Sequence, residues 1–134
     1  MMTTPTDAKI AAYTRTNMET RSEPQLLVDL CARAVVAADT ARDTDDVTVQ
    51  RASLQRAREI VAFLQDSLSV EVGGAVAVNL MRHYTFLNGK LIDAISDPGA
   101  ADLAMIHGKL TELRDTWREA VEIFQDEEAN AGQE

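Results

Sequence analysis

Seven apolar residues near the C-terminus, Leu103, Ile106, Leu110, Leu113, Trp117, Ala120 and Phe124, recur at alternating steps of three and four. A helix gathers such residues into one stripe, because each residue advances about 100° around the axis. A strand would scatter them over both faces. Glu112, Arg114, Asp115, Arg118, Glu119 and Glu122 fill the positions between them. The pattern therefore predicts a long amphipathic helix, whose apolar stripe must find partners elsewhere in the chain.

Three further segments supply them. The first starts at Ser22-Glu23-Pro24-Gln25, a capping-box pattern in which the Ser22 hydroxyl accepts from the Gln25 amide and Gln25 reaches back. Pro24 fits there because a first-turn amide has no intrahelical partner. Leu26, Leu27, Leu30, Ala34, Ala38 and Ala41 follow with helical spacing, and the turn formers Asp43-Thr44-Asp45-Asp46 predict a stop near Asp43. The second segment runs from about Thr48 to Leu68, with a seam of Leu54, Ala57, Val61, Leu64 and Leu68 flanked by Ile60 and Phe63. Gly73-Gly74 then breaks helical continuity, each glycine costing about 1 kcal/mol relative to Ala inside a helix. The third segment, Ala75 to Ile95, puts Val76, Leu80, Tyr84, Leu87, Leu91 and Ile95 on one face and Val78, Met81 and Ile92 on a second stripe. Ser96-Asp97-Pro98-Gly99 ends it, and Asp97 or Asp102 is placed to assist the start of the fourth helix.

Helices of about 20 residues are about 30 Å long, and short links make consecutive helices antiparallel. The expected fold is all-α, an up-down-up-down four-helix bundle. Residues 1–20 are expected to form a mobile N-terminal arm, 21–125 the bundle, and 126–134, with four acids and no base, a disordered acidic tail. The 134 residues suit one domain, and 6 Gly and 3 Pro are too few for the turns of a many-stranded sandwich.

Composition also excludes several kinds of chemistry. Twenty-two acids against 13 bases leave a net charge of −9, the wrong sign for nucleic-acid binding. The single cysteine, Cys31, cannot form an internal disulfide and reads as a small buried hydrophobe. The two histidines, His83 and His107, have Leu80 and Ala104 three residues before them, so the Glu-x-x-His pairs of a di-metal carboxylate bundle are missing. Each reads as a boundary histidine with a hydrogen-bond partner. Gly73-Gly74 lacks the lysine of a phosphate loop. No enzyme activity, metal or cofactor is expected. No apolar run approaches the length of a membrane span, so the expectation is a soluble, cytoplasmic protein without membrane insertion.

At this point the residues resemble a known family, the flagellar secretion chaperones of the FliS type. The arm offers Ile10-Ala11-Ala12-Tyr13, and the first helix start reads Thr20-Arg21-Ser22-Glu23-Pro24-Gln25-Leu26-Leu27. The most specific stretch is Ser67-Leu68-Ser69-Val70-Glu71-Val72-Gly73-Gly74-Ala75-Val76-Ala77-Val78-Asn79-Leu80, followed by His83-Tyr84. Leu113-Arg114-Asp115-Thr116-Trp117-Arg118-Glu119-Ala120 resembles the signature of the last helix. The resemblance implies a cytosolic export chaperone that binds the disordered C-terminal segment of flagellin. It would prevent premature polymerisation and deliver the client to the flagellar type III export apparatus. It further implies that the Ile10/Tyr13 pair docks on an export-gate component.

Independently of that resemblance, the second and third helices carry more apolar surface than one stripe each requires. Ile60, Phe63, Val78, Met81 and Ile92 either line grooves for amphipathic client helices or thicken the core. The arm, with Ile10 and Tyr13 three residues apart, is expected to cover part of this surface when no client is bound. A non-secretory helical adaptor that self-associates or binds a folded partner is the alternative function, and weak homodimerisation is compatible with either.

Overall fold

The computed structural model describes residues 24–68 and 70–131, with the side chains of Val76 and Phe124 among those outside the description. Ile10, Tyr13 and the Ser22 half of the expected capping box also lie outside the described residues. Four helices follow one another: α1 (Pro24–Arg42), α2 (Val47–Asp66), α3 (Val70–Ser96) and α4 (Leu103–Ala131), with a short 3₁₀ turn, Pro98–Ala100, before α4. Among the described residues there is no strand. α2 packs between α1 and α3, α1 packs between α2 and α4, and among neighbouring helices α3 and α4 approach each other least closely. The expected all-α, up-down-up-down four-helix bundle is the observed fold.

The turns are held by the residues that mark them in the sequence. Asp46 caps α2, its side chain accepting from the amides of Thr48 (2.9 Å) and Val49 (3.3 Å). The Gln50 side-chain amide donates back to the carbonyls of Ala41 and Thr44, fastening the start of α2 to the end of α1. Asp102 caps α4 by accepting from the Met105 amide at 3.0 Å. At the other end of the bundle the chain leaves α2 at Ser67, before the two glycines. Gly74, at φ 56° and ψ −131°, kinks α3 near its start, a conformation that only glycine adopts without strain. α4 runs to Ala131, past the expected bundle boundary at 125, because Gln, Asp, Glu, Ala and Asn in that stretch hold no helix breaker. Gln25 makes a different contact from the one expected of a capping box, its side-chain amide donating to Asp29 at 3.1 Å.

The core follows the periodic stripes. Leu54, Ala57, Val61, Leu64, Leu80, Tyr84, Leu87, Leu91, Ile106, Leu110, Leu113, Trp117 and Ala120 are all buried. α1 contributes Ala34, Ala37, Ala38 and Ala41 beside Cys31, small side chains that let its backbone come close to both neighbours. The α3/α4 seam is filled the opposite way. Tyr84 and Trp117 occupy it with the two largest buried side chains, and the indole Nε1–H donates to the Tyr84 hydroxyl at 3.0 Å. Large rings at this contact account for the greater separation of α3 and α4. Leu26 departs from the expected α1 stripe: it is exposed, whereas Leu27 and Val28 in the same turn are buried, because the step of about 100° per residue turns Leu26 onto the flank of the buried face.

Candidate functional site: two seams beside α2

Each flank of α2 can be assigned to a neighbour from its hydrogen bonds. Arg51 reaches α3, its Nε donating to the Ile95 carbonyl at 3.0 Å and its Nη2 to that of Ser96 at 3.4 Å. Gln65, on the same flank, donates to the Met81 sulfur (3.1 Å) and to the Thr85 hydroxyl (3.2 Å), and accepts from the Asn88 side-chain amide at 2.8 Å. That flank therefore faces α3. Ile60 and Phe63 lie on the opposite flank, by the step of about 100° per residue, and so belong to the seam with α1.

The five apolar residues singled out in the sequence thus separate into two groups. Ile60 is half-buried against the core and Phe63 is 54% exposed, both beside α1. Val78, Met81 and Ile92 form a stripe on the α2-facing flank of α3, where Met81 is half-buried and Val78 and Ile92 stay exposed. Thr85 and Asn88 interrupt this stripe, and the Asn88 Oδ1 atom is buried without a hydrogen-bond partner among the described residues. The α2/α3 seam is consequently apolar towards its ends and polar in its middle. The α1/α2 seam is apolar at one end: α1 ends at Arg42 and α2 starts at Val47, so in antiparallel helices the exposed Leu26 and half-buried Leu30 of α1 fall about level with Phe63 and Ile60 of α2.

Leu26 shares the spacing of the core stripe yet is exposed, and Phe86, outside the apolar stripes, is 45% exposed with the Lys90 ammonium 5.6 Å from its ring centroid. For Leu26 the available signal is its angle, about 100° from Leu27, which is buried at the same level of α1. Phe86 lies off every periodic stripe, and no pattern marks it.

The remaining polar groups are arranged for structure. His107 is half-buried and its Nε2–H donates to Asp39 at 2.9 Å, tying α4 to α1. His83, expected to have a partner, is exposed and has none among the described residues. Cys31 is buried, and burial pushes its thiol up to about 12, far from the thiolate needed for nucleophilic chemistry. A half-open cleft of about 320 Å³ lies between the end of α3 and the start of α4, lined by Lys90, Asp93, Asp97, Asp102 and Met105 among others. Among the described residues no group of three His, Cys, Asp or Glu side chains stands close enough to hold a metal ion. No described helix is long and apolar enough to cross a membrane.

The described residues thus form a bundle with a closed core, apolar side chains left out along its seams and a thiol held protonated. Its family is evident from comparison: the family model described as Flagellar protein FliS matches residues 6–123, and the chain belongs to that family. It is 24% identical over 114 residues, covering 83% of this chain and 84% of the relative, to the flagellar secretion chaperone FliS of Bacillus subtilis (strain 168). The family that the residues resemble is thereby shown.

Proposed function

We propose that the chain is an export chaperone that holds the disordered C-terminal segment of flagellin in the cytosol. It keeps the segment from polymerising prematurely and hands it to the flagellar type III export apparatus. Membership in a family of flagellar secretion chaperones supports this reading. The observation that carries it is the placement of Leu26, Phe63, Val78 and Ile92, which remain exposed along helix seams while a full core closes without them. Exposed apolar groups at helical spacing beside a groove suit an amphipathic segment that folds as it binds. Ile60 and Met81 would form the half-buried floor beneath these contacts.

Such coupled folding buries about 1,000–3,000 Å² and costs about 2–5 kcal/mol in ordering, so the client must use both seams. The arm residues Ile10 and Tyr13 enter the proposal as the cover of this surface in the unliganded chaperone and, once displaced, as the contact with an export-gate component.

Calorimetric titration with a flagellin C-terminal peptide, followed by circular dichroism of the complex, tests the reading. Saturable binding with a gain of helix is expected. A correctly folded chain that gives no heat and no complex over a range of salt concentrations overturns it and favours a non-secretory adaptor. Deletion of residues 1–18 should change client affinity or export, and no change in either defeats the role given to the arm.

A further inference from the structure

The α1/α2 seam carries a charge feature in line with its apolar end. Gln50 fastens the start of α2 to the end of α1, and from that turn the two antiparallel helices lead away side by side, back along α1 and forward along α2, at about 1.5 Å per residue. This register brings Leu26 level with Phe63, Leu30 with Ile60, and Arg33 with Arg56. The helical step puts each arginine on the same seam-facing flank as the two apolar residues of its own helix.

Both arginines are exposed, and among the described residues neither has an ion-pair or hydrogen-bond partner. The nearest acids on their own helices are already engaged. Asp29, one turn before Arg33, accepts from Gln25, and Glu59, one turn after Arg56, accepts from Gln55. Two like charges at one level of a groove, in a chain of net charge −9, form a local inversion of the protein's own field. Arg42, Arg58 and Arg82 also have no ion pair or hydrogen bond among the described residues, but none has a second described arginine level with it across a seam.

We propose that the α1/α2 seam takes an amphipathic helix whose apolar face covers Leu26, Leu30, Ile60 and Phe63 and whose carboxylate, about two turns further along, is held between Arg33 and Arg56. The occupant is a partner helix with apolar residues at i and i+3 or i+4 and an acid near i+7, since seven residues separate Phe63 from Arg56 and span about 10 Å of helix. A guanidinium on each side of one carboxylate offers more donors than the anion can use, and charge-assisted bonds of this kind fix register as well as adding affinity. The acid sets which stretch of a client docks and in which direction. This deepens the proposed chaperone reading and rests on it for the client's identity, although the groove chemistry can be tested without flagellin.

The experiment uses the full-length chain and two synthetic amphipathic peptides of about 20 residues, identical except for Glu or Gln at the i+7 position, together with a flagellin C-terminal peptide. The Glu peptide should bind about tenfold more tightly than the Gln peptide at low salt, the gain of two partly exposed ion pairs. That preference should shrink with added salt and vanish in Arg33→Gln/Arg56→Gln, whose helical circular dichroism and urea midpoint report that it is folded. Equal binding of the two peptides, or binding of neither, overturns the proposal. So does a flagellin peptide that binds the wild type and the double variant alike with no salt dependence, an outcome that leaves the chaperone function standing. Absence of flagellin binding with the Glu preference intact removes flagellin as the client and supports the groove chemistry.

Discussion

Removing the Tyr84 hydroxyl tests whether the aromatic pair holds the widest seam of the bundle. Tyr84 is 0% and Trp117 2% exposed, and the indole donates to the hydroxyl at 3.0 Å. Tyr84→Phe keeps the ring and deletes the acceptor, leaving a buried indole N–H without that partner. Such a stranded donor costs about 1–3 kcal/mol, and in a domain of this size that lowers Tm by about 3–10 °C. Trp117→Phe removes the donor but also indole volume, so its own cost mixes a lost hydrogen bond with a cavity. The double variant separates the two contributions. Once the donor is gone, Tyr84→Phe should cost less by a coupling of about 1 kcal/mol. Urea unfolding followed by far-ultraviolet circular dichroism measures all four proteins, with m unchanged if the denatured states are alike. Trp117 is the sole tryptophan, so fluorescence of the wild type and Tyr84→Phe reports on this seam alone. Costs that add to within about 0.3 kcal/mol, or a Tyr84→Phe variant as stable as the wild type, would refute the argument that this bond holds α3 to α4.

Phe63→Asp and Ile92→Asp alter exposed side chains and should change stability by no more than about 0.5 kcal/mol while weakening flagellin-peptide binding in the same titration. Ile60→Asp, at a half-buried site, should cost at least about 1 kcal/mol in urea unfolding, and equal stability of all three variants would show that exposure does not separate rim from floor. Gly74→Ala meets no atom within 4 Å of the added Cβ, so any loss comes from backbone strain at φ 56° alone. A cost of about 1–2 kcal/mol is expected in the same assay, and none would show that α3 does not need this kink. Cys31 should resist thiol reagents until the chain is unfolded. Its pKa is raised from 9.0 to about 12 by burial, so between those values the unfolded chain releases the proton that the folded chain keeps. Stability should therefore fall as pH rises above about 9, more steeply than in Cys31→Ala, and identical slopes for the two proteins would refute the assignment.

What could be read from the residues was whatever a single helix decides for itself. Leu54, Ala57, Val61 and Leu64 announce the buried face of α2 by spacing, the run Asp43–Asp46 marks the turn that ends α1, and Asp102 is one of the two aspartates, with Asp97, placed to start α4. The excess apolar width of α2 and α3 was equally visible. Its partition was not, because periodicity gives the angle between Ile60 and the core stripe but not which neighbouring helix stands on that side. That depends on the arrangement of all four helices, here revealed by Gln65 and Arg51 reaching α3. The pairing of Arg33 with Arg56 was hidden for the same reason, since their opposition arises from the register between two helices and leaves no trace in either one. His83 shows the converse error: its expected hydrogen-bond partner would have had to come from a neighbouring helix, and none of the described residues supplies it.

Placing the surplus apolar residues outside the core has an energetic consequence for the proposed function. Leu54, Val61, Leu91 and Trp117 bury themselves fully without using Phe63, Val78 or Ile92, so the bundle closes around its own contacts. Free energy released by a client is then not consumed in folding the chaperone and remains available to offset the ordering of the client. The two seams lie on opposite flanks of α2, and a helix with its side chains is about 10 Å across, so one straight client helix cannot occupy both. A client that uses both must present two helical pieces joined by a link that crosses α2. Once the first piece is docked, the second binds at an effective concentration set by that link, in the millimolar range for a short flexible one. Two weak grooves joined in this way hold an unfolded chain firmly while either piece alone dissociates readily. A carrier that must later release its cargo piece by piece at an export gate needs that combination.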